Sequence, residues 1–150
     1  MKTDVPEPSE YAGVYGDRRR AAGFALYDAV GIRRDDRDRR AQQMLENFRL
    51  FGAPHVAVIT SDRRLGAYGL VDCGAYVSTF LAAAHSLGIA AIAQAAIAMQ
   101  SELVREHFSI PHDRDIVCGI SFGLADGGHP VNGFRTERAS IDETVEWVAS

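Results

Sequence analysis

Two arginines three residues apart, Arg135 and Arg138, follow a glycine-rich turn in the stretch Gly123-Leu-Ala-Asp-Gly-Gly-His-Pro-Val-Asn-Gly-Phe-Arg-Thr-Glu-Arg138. Guanidiniums hold their charge at neutral pH and a turn frees backbone amides, so this stretch has the chemistry to seat a phosphate. The spacing equally permits a surface pair bound to Glu137, Asp142 or Glu143. A second segment, Gly88-Ile-Ala-Ala-Ile-Ala-Gln94, is rich in glycine and alanine. It fits a backbone that comes close to something flat, and it fits a plain connection between helix and strand just as well.

Other chemistries find no carrier. The histidines at 55, 85, 107, 112 and 129 are not at helix-spaced ligand positions, and no metal motif surrounds them. There is no GxSxG elbow or triad order for hydrolysis, and no GxGxxG for a Rossmann nucleotide site. Cys73 and Cys118 lie far apart inside apolar runs without CxxC spacing, which reads as reduced core thiols. No side chain is assigned as a catalyst and no metal is expected; in an enzyme of this composition a cofactor supplies the reactivity.

A net charge of −4 argues against a general nucleic-acid binder, which needs a basic excess. The run Arg33-Arg-Asp-Asp-Arg-Asp-Arg-Arg40 interleaves five arginines with three aspartates and reads as a solvated face with internal ion pairs. The window Phe80 to Met99 is apolar enough to raise a membrane span, but it is mostly alanine and includes His85, Ser86, Gly88 and Gln94, so no membrane is expected. Met1 to Glu10 lacks the pattern of a secretory leader, which leaves the cytoplasm as the expected location.

The elements that position these residues follow from 150 residues of globular composition, 47% hydrophobic and 24% charged, the size of one domain spanning 1–150. Met1 to Pro8 reads as an extended opening segment. Apolar spacing predicts a helix from Asp17 to Gly31 and a second from Asp35 or Asp36 to a stop near Gly52-Ala-Pro54. His55 to Thr60 is a short β-branched run, hence a buried strand. Between Ala67 and Leu87 bulky apolar residues alternate with glycine and alanine, predicting a long helix buried on most sides, at a domain centre or a subunit interface. Ile89 to Ile92 reads as a short strand or loop, Ser101 to Phe108 as a helix, and Asp115 to Leu124 as a second central strand. Asp142 to Val148 reads as a helical turn or an extended arm.

Several motifs in this order resemble the FMN-dependent nitroreductase family. Pro130-Val-Asn-Gly-Phe-Arg-Thr-Glu-Arg138 is similar to the ending PVNxxRTER, and Cys118-Gly-Ile-Ser-Phe-Gly-Leu-Ala-Asp126 to the strand and G-[YL]-x-D turn before it. Asn47-Phe-Arg-Leu-Phe-Gly-Ala-Pro54 resembles the N-F-x-F-F-[GD]-A-P segment, and Asp72 to Gly88 the long interface helix. The resemblance implies an α+β fold, a central mixed sheet flanked by helices with a long buried interface helix. It implies a homodimer with FMN at the subunit interface, reduced by NADH or NADPH and reoxidised by nitroaromatic or quinone-like acceptors in a ping-pong cycle through flavin N5. It implies that Arg135 and Arg138 bind the FMN phosphate with Asn132 near them, and that Ile92, Ala93 and Gln94 present backbone groups to the isoalloxazine edge.

The chain departs from the family at the loop, which lacks the second glycine and the proline of G-L-G-T-x-P-Q, and at the front. Neither R-x-S-x-R nor S-x-x-N-x-Q-P-W occurs, so the resemblance covers the C-terminal portion and implies an N-terminally truncated domain. A longer true protein, a degenerate remnant, or a second chain supplying the other half would each account for that. The alternative to an enzyme is a non-catalytic α+β remnant or binding subunit that associates with another chain and does not hold FMN by itself.

Overall fold

The structure, a computed structural model, describes residues 2–148. The chain divides into two compact units, one from Met1–Glu10 and Arg37–Asp126, the other from Tyr11–Asp36 and Gly127–Ser150. The first holds α2 (Arg37–Leu45), β1 (His55–Asp62), α3 (Gly66–Ser86), β2 (Ala90–Gln94), α4 (Ala95–Ala98), α5 (Ser101–Phe108) and β3 (Arg114–Gly123). The second holds α1 (Gly13–Ala29) and α6 (Ile141–Thr144).

In the first unit the sheet has the order β1-β3-β2, with β3 antiparallel to both neighbours. The pairing of named strands is thus antiparallel where the resemblance implied a mixed sheet; a lone parallel bridge joins Lys2 to Gln100. β3 is the middle strand, and its Ile116 and Ile120 have no exposure at all. The register shifts between Ile59, opposite Cys118, and Thr60, opposite Ile116, so that Val117 is the extra residue on β3. One sheet face packs on α3: Ile59, Cys73 and Ile120 form a buried cluster with Val77, Phe80, Leu81, Ala91 and Cys118 against it. Phe80 meets Phe122 edge to face with ring centroids 5.5 Å apart.

The opening segment is extended, as its composition predicts, and it is tied down. Both the backbone amide and the hydroxyl of Ser101 donate to the Lys2 carbonyl, at 3.1 and 2.9 Å. Asp4 accepts from the Ile116 amide at 2.9 Å and from the guanidinium of Arg105.

Two expectations about helices need correction. The first helix begins four residues earlier than the apolar spacing indicated, at Gly13, where Val14 and Tyr15 continue it as exposed residues. The second does not run to Gly52: α-helix stops at Leu45, a 3₁₀ segment follows over Glu46–Gly52, and Leu50 and Phe51 take left-handed φ of 57° and 51°. Two such non-glycine residues in succession cannot continue a right-handed helix. Of the two settings expected for the long helix α3, the single chain covers one side only, which leaves the remainder to the subunit-interface alternative. Only Gly69, Cys73 and Ala84 are buried, since the sheet covers a single side, and Tyr68, Val71 and Tyr76 stand more than half exposed. By length and composition Arg63–Ser86 would also pass for a membrane span, whereas the Phe80 to Met99 window is broken by the turn at Gly88 into β2.

In the second unit, Ile32 is buried and α6 opens on a reciprocal cap in which Ser140 and Glu143 satisfy each other's backbone amides. The resulting hydrogen bonds hold the Glu143 carboxyl below its usual range. The tail is therefore a single helical turn followed by extended backbone at Val145. The charge run behaves as a solvated face: Arg33 forks both oxygens of Asp35 at 3.1 and 3.0 Å, with both side chains exposed.

Candidate functional site

In the first unit the glycine- and alanine-rich segment is a strand and not a loop. Its residues pair with β3 as Ile92 with Ser121, Ala93 with Ile120 and Gln94 with Gly119. As β2 lies at one end of the three-stranded order, its outer edge carries no named strand among the described residues. Ile92 and Ala93 are exposed, and the side chains at 90, 91 and 93 stop at Cβ. An edge of this kind lets a planar molecule approach the main chain closely.

Gln94 ends the strand and is 3% exposed. Its Nε2 donates to the Asn47 carbonyl at 2.9 Å and to Asn47 Oδ1 at 3.3 Å, while its Oε1 accepts from the Ser121 hydroxyl. Asn47 Nδ2 in turn donates to the Met44 carbonyl at 3.0 Å. The network needs space, which comes from small residues on the same face of β3. A Cβ at Gly119 would lie 2.9 Å from Ile97 Cγ1, and one at Gly123 would lie 2.6 Å from Pro54 Cδ. Glycines there let α4 and the Asn47–Pro54 segment close onto the strand. Sequence reasoning assigned Gln94 to a ligand through its backbone and missed Asn47 and Ser121; the signal was Asn47's own motif, whose partners lie 27 and 47 residues apart in sequence from Gln94.

In the second unit a 3₁₀ turn over Pro130–Asn132, capped by His129 Nδ1 accepting from the Val131 amide at 3.2 Å, leads to the two arginines. Arg135 Nη1 donates to the carbonyls of Asn132 at 2.9 Å and Phe134 at 2.7 Å. Arg138 Nη1 donates to the Thr136 hydroxyl and to the carbonyls of Thr136 and Glu137 at 3.4 and 3.3 Å. Both side chains are exposed. The surface pairing with Glu137, Asp142 or Glu143 is not what forms: neither arginine has a carboxylate partner among the described residues. Carbonyls fix the guanidiniums without neutralising them, so the turn keeps two positive charges for an anion. Asn132 and Arg135 are thus brought together, as are Gln94 and its partners; the two groups belong to different units.

The thiols hold no place in this arrangement. Cys73 is buried and Cys118 half-buried, neither forms a disulfide, and burial pushes both pKa values up.

Comparison with known proteins gives these elements a context. The sequence pattern of the nitroreductase family matches residues 14–124. The chain is 36% identical over 144 residues to 4-nitrobenzoate reductase of Nocardioides sp. (strain LMS-CY), covering 95% of this chain and 58% of that protein. It is 36% identical over 137 residues to nitroreductase NfnB of Mycolicibacterium smegmatis (strain ATCC 700084 / mc(2)155), covering 91% of this chain and 58% of that one. Among solved structures, the FMN-dependent nitroreductase NfnB from Mycobacterium smegmatis in complex with NADPH superposes with a TM-score of 0.92 at 35% identity, over 99% of this chain and 67% of its own. The FMN and NADPH-dependent NfnB from sphigopyxis sp. strain HMH gives 0.94 at 29% identity with the same coverage. The chain therefore spans 58% of the length of these curated relatives. With the pattern matched over most of its residues and the backbone shared nearly throughout, the chain belongs to the nitroreductase family.

Proposed function

We propose that this chain forms part of a single nitroreductase-like domain of an FMN-dependent oxidoreductase that uses NADH or NADPH. The observation that carries the reading is the pair Arg135 and Arg138, fixed by carbonyls and with no carboxylate partner among the described residues. That is the donor set a phosphate monoester needs, and solved family members that share this backbone include FMN-dependent nitroreductases. In this assignment Arg135 and Arg138 bind the phosphate, Asn132 holds Arg135 in place, and the main chain of Ile92, Ala93 and Gln94 lines the ring. Bound FMN would supply the redox chemistry, passing hydride at N5 from the nicotinamide to a nitroaromatic or quinone-like acceptor in two half-reactions. The chain's own part is to bind, to orient, and to keep the exposed β2 edge in one geometry.

A homodimer is the assembly the reading requires. The exposed apolar side of α3, with Tyr68, Val71 and Tyr76, is a face that a second copy covers. Asp72, Ser78, Thr79 and His85 on that helix favour a protein partner over lipid, so we assign no membrane and a cytoplasmic location. A chain supplying the remainder of the relatives' length is a possible further partner.

Colour is the test. The purified protein is expected to carry a visible flavin absorption band, and Arg135→Ala with Arg138→Ala to lose it while keeping the circular dichroism of the fold. A colourless protein that takes up no added FMN would favour the alternative, a binding subunit that does not hold the cofactor by itself. Equal flavin content in the double variant would remove the arginines from the site.

A further inference from the structure

The buried carboxamide of Gln94 is unusual in being fixed in one sense along a directional chain. Ser121 Oγ donates to Gln94 Oε1, Gln94 Nε2 donates to Asn47 Oδ1 and to the Asn47 carbonyl, and Asn47 Nδ2 donates to the Met44 carbonyl. A primary amide can usually be turned over at little cost, exchanging its oxygen and nitrogen. Here the turned form would set an oxygen against the Asn47 carbonyl and Oδ1, and that repulsion selects one orientation; the Ser121 hydroxyl, able to donate or accept, then donates to Oε1.

The chain of donors also joins three elements that are remote in sequence: the 3₁₀ segment through Asn47, the end of β2 through Gln94, and the C-terminal part of β3 through Ser121, which is 1% exposed. The strand β2 has only five residues and one neighbour, so its ladder alone is a weak hold on its C-terminal end. Gly119 and Gly123 give the network its room, and no other polar side chain is recorded as bonding to Gln94 among the described residues.

We propose that Asn47 and Ser121 are positioning residues, which act through the carboxamide of Gln94 to hold the Ile92–Gln94 main chain in the geometry it presents to the flavin ring. The inference rests on the flavin reading above and adds two residues to it, neither of which need touch the cofactor. Removing the Ser121 hydroxyl leaves Gln94 Oε1 unsatisfied, and removing the Asn47 side chain takes away one of the two acceptors of Gln94 Nε2, so the strand end moves or takes up water. Asn47→Ala keeps the Asn47 carbonyl as an acceptor, whereas Ser121→Ala deletes the sole recorded donor to Gln94 Oε1; the serine variant is therefore the more severe.

The test uses the full chain in two states. Without cofactor, amide hydrogen exchange is read at Ala90 to Gln94 and, as an internal reference, in α5. With FMN added, the dissociation constant and the position of the bound-flavin absorption band are read on the same variants. Ser121→Ala is expected to speed exchange at Ile92 to Gln94 and to weaken FMN binding, each about tenfold, the scale of one hydrogen bond to a buried group. It is also expected to displace the flavin band while α5 exchange stays at the parent value. Ser121→Cys, which retains the shape and a weak donor, is expected to fall between the two. Unchanged exchange across Ile92 to Gln94 overturns the proposal, and so does faster exchange accompanied by parental affinity and an unmoved band. Should the parent chain itself bind no FMN, the flavin reading falls and this proposal with it, while the exchange data separately show whether the network anchors the strand.

Discussion

The carboxylate of Asp4 and the guanidinium of Arg105, 101 residues apart in sequence, pair with each other at 9% and 8% side-chain exposure. Both partners make further hydrogen bonds: Arg105 donates to the Pro111 carbonyl at 2.7 Å, and Asp4 accepts from the Ile116 amide and from Arg63 at 3.3 Å. It fastens the opening segment across α5 and β3. Breaking one side of such a pair leaves an uncompensated buried charge, so Asp4→Ala is expected to cost about 3–5 kcal/mol of unfolding free energy in urea. The double variant Asp4→Ala with Arg105→Met removes both charges and is expected to lose less than the sum of the single changes. Additive losses would mean that the two groups do not depend on each other.

Glycine at 123 is a packing requirement of the Asn47–Pro54 segment. A Cβ there would stand 2.6 Å from Pro54 Cδ, part of a ring that cannot rotate away. Gly123→Ala is therefore expected to lower the denaturation midpoint by the equivalent of about 1–3 kcal/mol, the range of overpacked cores. At Gly119 the clash is with Ile97, whose Cγ1 can rotate although its Cβ, 3.1 Å away, cannot. Gly119→Ala should cost less than Gly123→Ala, and the reverse order in thermal melts would contradict this packing.

The regular elements were largely legible in the sequence. The strand starting at His55, the helix Ser101–Phe108 and the long helix ending near Leu87 sit within a residue or two of their observed bounds, because each has a strong local signal of period or punctuation. What could not be read was non-local or conformational. Nothing in Arg49-Leu-Phe-Gly52 announces left-handed φ at Leu50 and Phe51. Asp4 looks like any acidic residue near a terminus until β3 and α5 close on it. The site was half legible: the arginine turn was visible as a basic motif, but Gln94's role depends on Asn47 and Ser121, which meet it only after the sheet has formed. Burial of α3 is not decided within one chain for a related reason, since apolar pattern reports what an element covers in the whole assembly.

That exposed side of α3 predicts an assembly. Tyr68, Val71 and Tyr76 present a stripe on one helix, 83%, 67% and 56% exposed in the single chain. Sedimentation of the purified protein is expected to give a dimer, and Val71→Glu to weaken it. Placing a charge at the centre of an apolar interface costs about 2 kcal/mol or more, roughly thirtyfold in Kd. A parent that remains monomeric at high concentration would deny α3 this role.

Asp62 offers a check on local electrostatics. It forks with the Arg64 guanidinium, at 3.0 and 2.6 Å, and accepts from the Arg64 amide at 2.9 Å, which lowers its pKa to about 2. A carboxyl depressed in the folded state adds stability above its ordinary pKa of about 4, and that contribution is lost as pH falls through the folded value. Carbon-detected titration should place the Asp62 midpoint near 2. Arg64→Ala should raise it, though not fully, because the backbone amide still donates.

The orientation of the Gln94 carboxamide can be tested by a single-atom change. Gln94→Glu replaces the donor Nε2 by oxygen, so an ionised carboxylate would face the carbonyl and Oδ1 of Asn47, both acceptors. Only the protonated acid can donate there, and burial also disfavours the charge. The folded-state pKa of this glutamate is therefore raised above the unfolded value of about 4.3. By linkage the folded form binds the extra proton, so the variant is expected to approach parental stability below pH of about 4 and to lose it as pH rises through the folded pKa. Urea midpoints of parent and variant, measured from about pH 4 to 8, should diverge with increasing pH. Parallel curves would mean that the nitrogen of Gln94 does not face Asn47, and the directional chain from Ser121 to Met44 would have to be drawn the other way.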